Sequence, residues 1–151
     1  MHPRINYIVL AVDNLDRSLE FYRDGLGLPT QGVVGNEFRD EKTGAAGTIA
    51  LFELQGGLML SLYERGNLAK DAAVSFDAPG STEFSLGYLV NTKEEVATVL
   101  ERAKQAGATV TDSLHERPWG VYSGYFKDPD GHLWEVTWNP NMPANGEDSA
   151  G

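Results

Sequence analysis

Gly57-Leu58-Met59-Leu60-Ser61-Leu62 has its counterpart in Gly131-His132-Leu133-Trp134-Glu135-Val136, and the two hexads close two successive runs of similar elements. Each opens on glycine and continues with the apolar-rich pattern of a partly buried strand. Ahead of them, Tyr7-Ile8-Val9-Leu10-Ala11-Val12 matches Ser85-Leu86-Gly87-Tyr88-Leu89-Val90, and each enters a helix two or three residues later. The chain therefore reads as one β-α-β-β-β unit written twice.

In the first copy Ile5 to Val12 is the opening strand, and Asp13-Asn14 caps a helix on which Leu15, Leu19, Tyr22 and Leu26 recur at helical spacing. Gly25, Gly27 and Pro29 stop it. Thr30 to Arg39, Thr48 to Leu54 and Leu58 to Glu64 follow as strands, the last two joined by a tight Gln55-Gly56-Gly57 turn. In the second copy Phe84 to Asn91 is a strand, and Thr92 with Glu95 forms a capping box opening a helix. Val96, Val99, Leu100 and Ala103 share one face of that helix, and Gly107 ends it. Thr109 to Glu116, Val121 to Lys127 and His132 to Trp138 are the remaining strands, with Asp128-Pro129-Asp130-Gly131 as the last turn. Arg65 to Glu83 reads as a linker, with a lid over a site as the alternative. Asn139 to Gly151 has almost no apolar residue to bury and is expected to be unstructured or loosely draped.

The expected class is α+β, one domain over 1–151, with module 1 at about 5–64, the linker at 65–83, module 2 at about 84–138 and the tail at 139–151. A chain of 151 residues can bury one good core and is short for two full-sized domains. Cysteine is absent, which excludes disulfides, thiolate metal sites and a cysteine nucleophile. A cytosolic location is expected. No stretch approaches the ~18 apolar residues of a membrane span, so neither secretion nor membrane insertion is expected. Acidic residues outnumber basic ones by 22 to 12, for a net charge of −10, which disfavours nucleic acid and favours a cationic ligand.

Period-two geometry places Tyr7, Val9 and Ala11 on one strand face and Ile8, Leu10 and Val12 on the other, where they can meet the helix. The same parity groups Ser61 with Met59 and Tyr63, Ser85 with Gly87 and Leu89, and Glu135 with Leu133 and Thr137.

Three stretches carry a family resemblance: Asp13-Asn14-Leu15-Asp16-Arg17-Ser18-Leu19-Glu20-Phe21-Tyr22, Gly25-Leu26-Gly27-Leu28, and Phe126-Lys127-Asp128-Pro129-Asp130-Gly131-His132-Leu133-Trp134-Glu135. In combination, over Ile5 to Asn139, the chain resembles the vicinal-oxygen-chelate superfamily of glyoxalases, bleomycin-resistance proteins and extradiol dioxygenases. The resemblance implies mixed sheets curled into an open cup (the glyoxalase/bleomycin resistance/dihydroxybiphenyl dioxygenase fold) and a homodimer. It also implies that catalytic members hold a divalent metal with His or Glu from four strand positions, which here carry Tyr7, Ser61, Ser85 and Glu135.

A catalytic divalent site needs about three imidazole or carboxylate ligands. Among those four positions Glu135 is the one family-type ligand, because hydroxyls and a phenol bind such ions poorly without losing a proton. His2 lies near the chain end, His132 has the opposite parity to Glu135, and His115 sits on a strand that the family does not use for ligation. No cofactor is therefore expected, a divalent metal being the alternative, and Glu135 is expected to bond to Ser61, Ser85 or Tyr7 across the cup.

The residues read as ligand-binding are Tyr7, Ser61, Tyr63, Ser85, Trp119, Tyr122 and Glu135, with no catalytic residue assigned. Trp119, in a Pro-Trp-Gly turn, is the indole placed for stacking, whereas Trp134 and Trp138 share the parity of Val136 and read as core. His115 reads as a surface or rim residue, and the glycines show no phosphate-cradle spacing. The function expected is capture of a small cationic or aromatic molecule without a metal. The alternatives are a metal-dependent glyoxalase-like lyase or isomerase, an extradiol-type dioxygenase, and a protein whose cup is vestigial.

Overall fold

The computed structural model describes residues 2–3, 6–74, 85–142 and 144. The chain divides into two compact units, Met1–Pro79 and Gly80–Gly151, each built around one sheet.

In the first unit β1 (Tyr7–Val12) runs parallel to β4 (Met59–Glu64), and β3 (Ile49–Glu53) and β2 (Thr30–Val34) follow antiparallel, giving the order β1-β4-β3-β2. Leu10 and Val12 are buried while Tyr7 is exposed, so the expected parity of β1 holds. Asn14 caps α1 (Leu15–Leu19) by accepting the Arg17 N–H at 3.0 Å, as its position before the apolar run predicts. The helix then widens into a π-turn over Glu20–Gly25, in which Leu26 N–H reaches back to Phe21 O. The wider turn takes an extra residue, and adjacent Phe21 and Tyr22 both point inward, ring against edge at 4.9 Å. Tyr22 also packs on Phe52 of β3, at 6.1 Å.

Two expectations for this unit need correction. The strand expected over Thr30 to Arg39 ends at Val34, because Gly35 turns the chain at φ +81° and lies so close to Gly47 that any Cβ would strike the Gly47 carbonyl. Arg39 regains only a single bridge, to Ala46. The stretch read as linker begins with a helix, α2 (Arg65–Ala72), that packs on β4 and β1. Its Leu, Ala and Lys content favours that helix, and the Gly, Asp, Pro and Ser residues that suggested a loop fall largely after it. The rest of that stretch, 75–84, lies outside the described residues, as does the tail beyond 144.

In the second unit β5 (Leu86–Val90) runs parallel to β9 (Leu133–Trp138), and β9 pairs antiparallel with β8 (Tyr122–Lys127). Between β5 and β8 in sequence comes α3 (Lys93–Ala106), capped by Thr92, whose hydroxyl accepts the Glu95 N–H. The Glu95 carboxylate reciprocates one residue early, on the Asn91 N–H at 2.9 Å. Val96, Leu100 and Ala103 are buried, and Gly107 closes the helix in a left-handed conformation.

The strand expected over Thr109 to Glu116 is two short ones, β6 (Thr109–Val110) and β7 (His115–Glu116), both on β8. Residues 111–114 span what Gly124 and Tyr125 span opposite, so the chain bulges. Side chains take over the lost ladder there: Ser113 Oγ accepts the Tyr125 N–H at 3.0 Å and bonds to Thr111 Oγ1 at 2.6 Å. Among the described residues, no helix is long and apolar enough to cross a membrane.

A candidate ligand-binding face in the second unit

The face that could receive a ligand follows from where α3 lies. A Cβ on Gly124 would sit 2.7 Å from Leu100 Cδ1 of α3, so Gly124 points at the helix. Tyr122 and Phe126 share its parity on β8, and their cross-strand partners Trp138 and Trp134 do so on β9. Ser123 and Tyr125, with Glu135 and Thr137, therefore face away from α3. On that face Tyr125 is directly opposite Glu135, and Gly87 of β5 is opposite Glu135 on its other side.

Glu135 is held within its own unit. Its Oε2 accepts the Ser123 hydroxyl at 2.8 Å, and Ser123 is fully buried. The Tyr125 side chain stands directly across from the same carboxylate. Burial raises the Tyr125 pKa above its ordinary value, the neighbouring Glu135 carboxylate raises it further, and Arg117 opposes them. Arg117 is itself buried and spends its guanidinium on carbonyls, those of His115 at 2.8 Å, Ser113 at 2.9 Å and Ser123 at 3.0 Å. It ties the bulge between β6 and β7 to β8 and so fixes the strand that presents Ser123 and Tyr125. The expected partners for Glu135 were Ser61, Ser85 or Tyr7; within its own unit the hydrogen bond is to Ser123, a residue that the sequence reading did not single out.

Ser123, Tyr125 and Arg117 escaped the sequence reading. Five residues, 128–132, separate the paired Lys127 and Leu133, one more than the turn read from the sequence, and that one-residue difference in register brings Tyr125 to Glu135 rather than to Trp134. Tyr122, read as a ligand residue, lies instead on the α3 face beside Trp138. Trp134 stacks on Phe126 at 5.9 Å, and Trp138 lies under Lys93 Nζ at 5.2 Å, both in keeping with their expected helix-facing roles. Ser85 is exposed just before β5. Trp119 is 73% exposed at the tip of a turn closed by Gly120 N–H to Arg117 O, free to stack on a flat partner. His132 is occupied by Asp128, with Nδ1 2.6 Å from its carboxylate.

In the first unit Ser61 is buried at the middle of β4, between Val9 and Leu51. Tyr7 shares its face but is 66% exposed at the start of β1. Tyr63 donates its hydroxyl to Ala46 O, and Asn67 of α2 accepts the Ala46 N–H, so this tyrosine anchors the 35–47 loop. Its pKa is raised by burial and by Asp71 and Asp40. An open cleft of about 560 Å³ at the start of α1, lined by Asp13, Asp16, Val33 and Glu64, lies on the helix side of this sheet, away from Ser61. One of its acids, Asp13, already pairs with Arg65 at 3.1 Å.

The family model of the Glyoxalase/Bleomycin resistance protein/Dioxygenase superfamily matches residues 4–136. The chain belongs to that superfamily. A glyoxalase-related enzyme from Fulvimarina pelagi superposes with a TM-score of 0.76 at 30% identity, over 95% of this chain and 94% of that one. A probable lactoylglutathione lyase from Vibrio parahaemolyticus is 26% identical over 93% of this chain and 94% of its own length. A fosfomycin resistance protein from Listeria monocytogenes, solved as a complex with Mn(II), shares the fold, with a TM-score of 0.62 at 20% identity over 90% of each chain. The superfamily fold, two βαβββ modules in one α+β chain, is thus the one that the repeat predicts.

The superfamily's metal does not fit the residues present. The four corresponding positions carry a phenol, two hydroxyls and one carboxylate, and that carboxylate already accepts Ser123. Among the described residues no group of three or more His, Asp or Glu is placed to hold an ion.

The two raised phenols make a spectroscopic prediction. Of six tyrosines, Tyr63 and Tyr125 should ionise after free tyrosine, whose pKa is 10.0. A group held neutral to higher pH in the fold contributes stability that is complete below the unfolded pKa and is lost as pH rises through the folded one. Ultraviolet titration should lose one late step in Tyr125→Phe, and Glu135→Gln should bring that step to lower pH. Unchanged curves in both variants would contradict the Tyr125–Glu135 contact.

Proposed function

We propose that this chain is a small-molecule-binding member of the superfamily that works without the metal centre, in the manner of the bleomycin-resistance proteins that it resembles. The supporting observation is the state of Glu135. A carboxylate that accepts a buried serine hydroxyl and stands across from Tyr125, with no imidazole or second carboxylate at the corresponding positions, is arranged as a hydrogen-bond acceptor for a ligand. The net charge of −10 and the exposed Trp119 favour a cationic or aromatic ligand.

The similarity to a probable lactoylglutathione lyase supports a second reading, a metal-dependent lyase or isomerase. Elemental analysis of the purified chain and calorimetric titration with Mn(II), Ni(II) and Zn(II) separate the two. The metal-free function predicts no stoichiometric uptake, and a thermal-shift screen in chelator should yield cationic or aromatic stabilisers. Tight one-to-one metal binding that disappears in Glu135→Gln would establish the lyase reading instead.

A further inference from the structure

Glu135 lies between two unlike neighbours. On β8 it faces Tyr125, and on β5 it faces Gly87. Directly paired residues of a ladder project to the same face, so whatever stands at position 87 stands beside the carboxylate. A Cβ built on Gly87 meets no heavy atom within 4 Å among the described residues. Gly87 is exposed on the edge strand β5, so open space lies next to Glu135 on the face that α3 does not cover.

Nothing local calls for glycine there. Gly87 does not have the positive φ that favours the residue, and β5 pairs with β9 in unbroken register from Leu86 to Val90, so it marks no bulge. Glycine weakens a strand interior, and with no bulge or close backbone here its use is to leave room beside the carboxylate for the approach of a ligand.

We propose that the open place over Gly87 receives a flat nitrogen cation of the ligand, an amidinium or guanidinium, which donates N–H bonds to Glu135. This rests on the metal-free binding function above and adds to it the ligand's charged group and its seat. An ionised carboxylate has about four acceptor positions. Ser123 occupies one, leaving room for a planar forked donor.

Benzamidine, benzamide and benzoate share a ring and differ in the charge of the head group. Each is titrated into the full chain in chelator, followed by calorimetry and protein NMR. Benzamidine should bind at least tenfold more tightly than either of the others, and Glu135→Gln should abolish that preference. Gly87→Val, which puts a good strand former beside Glu135, should weaken benzamidine at least tenfold without lowering the thermal midpoint. Gly87→Ala should give a smaller loss. Equal binding of the three probes, no binding of benzamidine, or undiminished binding by both Gly87 variants overturns the cation site. Stoichiometric metal uptake would instead overturn the metal-free function, so the two failures read differently.

Discussion

Truncating Phe52 to alanine should lower the folding free energy by about 3–5 kcal/mol. Phe52 is fully buried in β3, cross-strand from Leu60, and is the ring on which Tyr22 rests. The segment it seats is short, a five-residue helix followed by a π-turn, and a helix of that length has no stability of its own in water. Removing the ring therefore leaves a cavity and also releases Phe21 and Tyr22 from the sheet. Urea unfolding of the purified variant measures the loss, and Phe52→Leu should recover more than half of it. A change below about 1 kcal/mol for alanine would mean that the site collapses freely and that this aromatic contact does not hold the helix.

Asp128→Ala should cost about 3 kcal/mol, through hydrogen bonding rather than volume. The Asp128 side chain is almost completely buried, and its Oδ1 accepts the N–H groups of Asp130 and His132, each at 2.9 Å, while Oδ2 meets His132 Nδ1. Alanine strands two amides in a turn that already bends through Gly131 at φ 88°. Asparagine keeps one acceptor and should lose only about half as much. The consequence reaches the candidate site, because this turn sets the β8–β9 register that places Tyr125 against Glu135. Asp128→Ala should therefore also lose the late Tyr125 ionisation. Retention of full stability in the alanine variant would show that the backbone of the turn suffices without the carboxylate.

Much of the fold was legible because its signals are local. The Asn14 and Thr92 caps, the Gly107 stop and the alternation along β1 each depend on residues a few positions apart, and each is found as the sequence predicts. The errors arose where a distant partner decided. Val34 ends β2 because Gly35 and Gly47 touch, and that contact joins residues on either side of a loop. The break between β6 and β7 depends on Ser113 replacing a ladder bond from Tyr125.

The candidate site divides in the same way. Glu135 and its facing were readable from parity, as were the helix-side roles of Trp134 and Trp138. The helix-side place of Tyr122 depends on its register against Trp138, and the anchoring bond of Tyr63 on the loop that it holds, neither of which local sequence encodes.

By itself the sequence determined the repeated βαβββ order, the helix ends and the shortage of metal donors, since residue chemistry and near-neighbour periodicity travel with the chain. The tertiary structure alone decided that Glu135 bonds to Ser123, stands across from Tyr125 and has an open place over Gly87. Those neighbours come from three strands, and which residues stand abreast depends on turns, bulges and helix packing that no single stretch encodes.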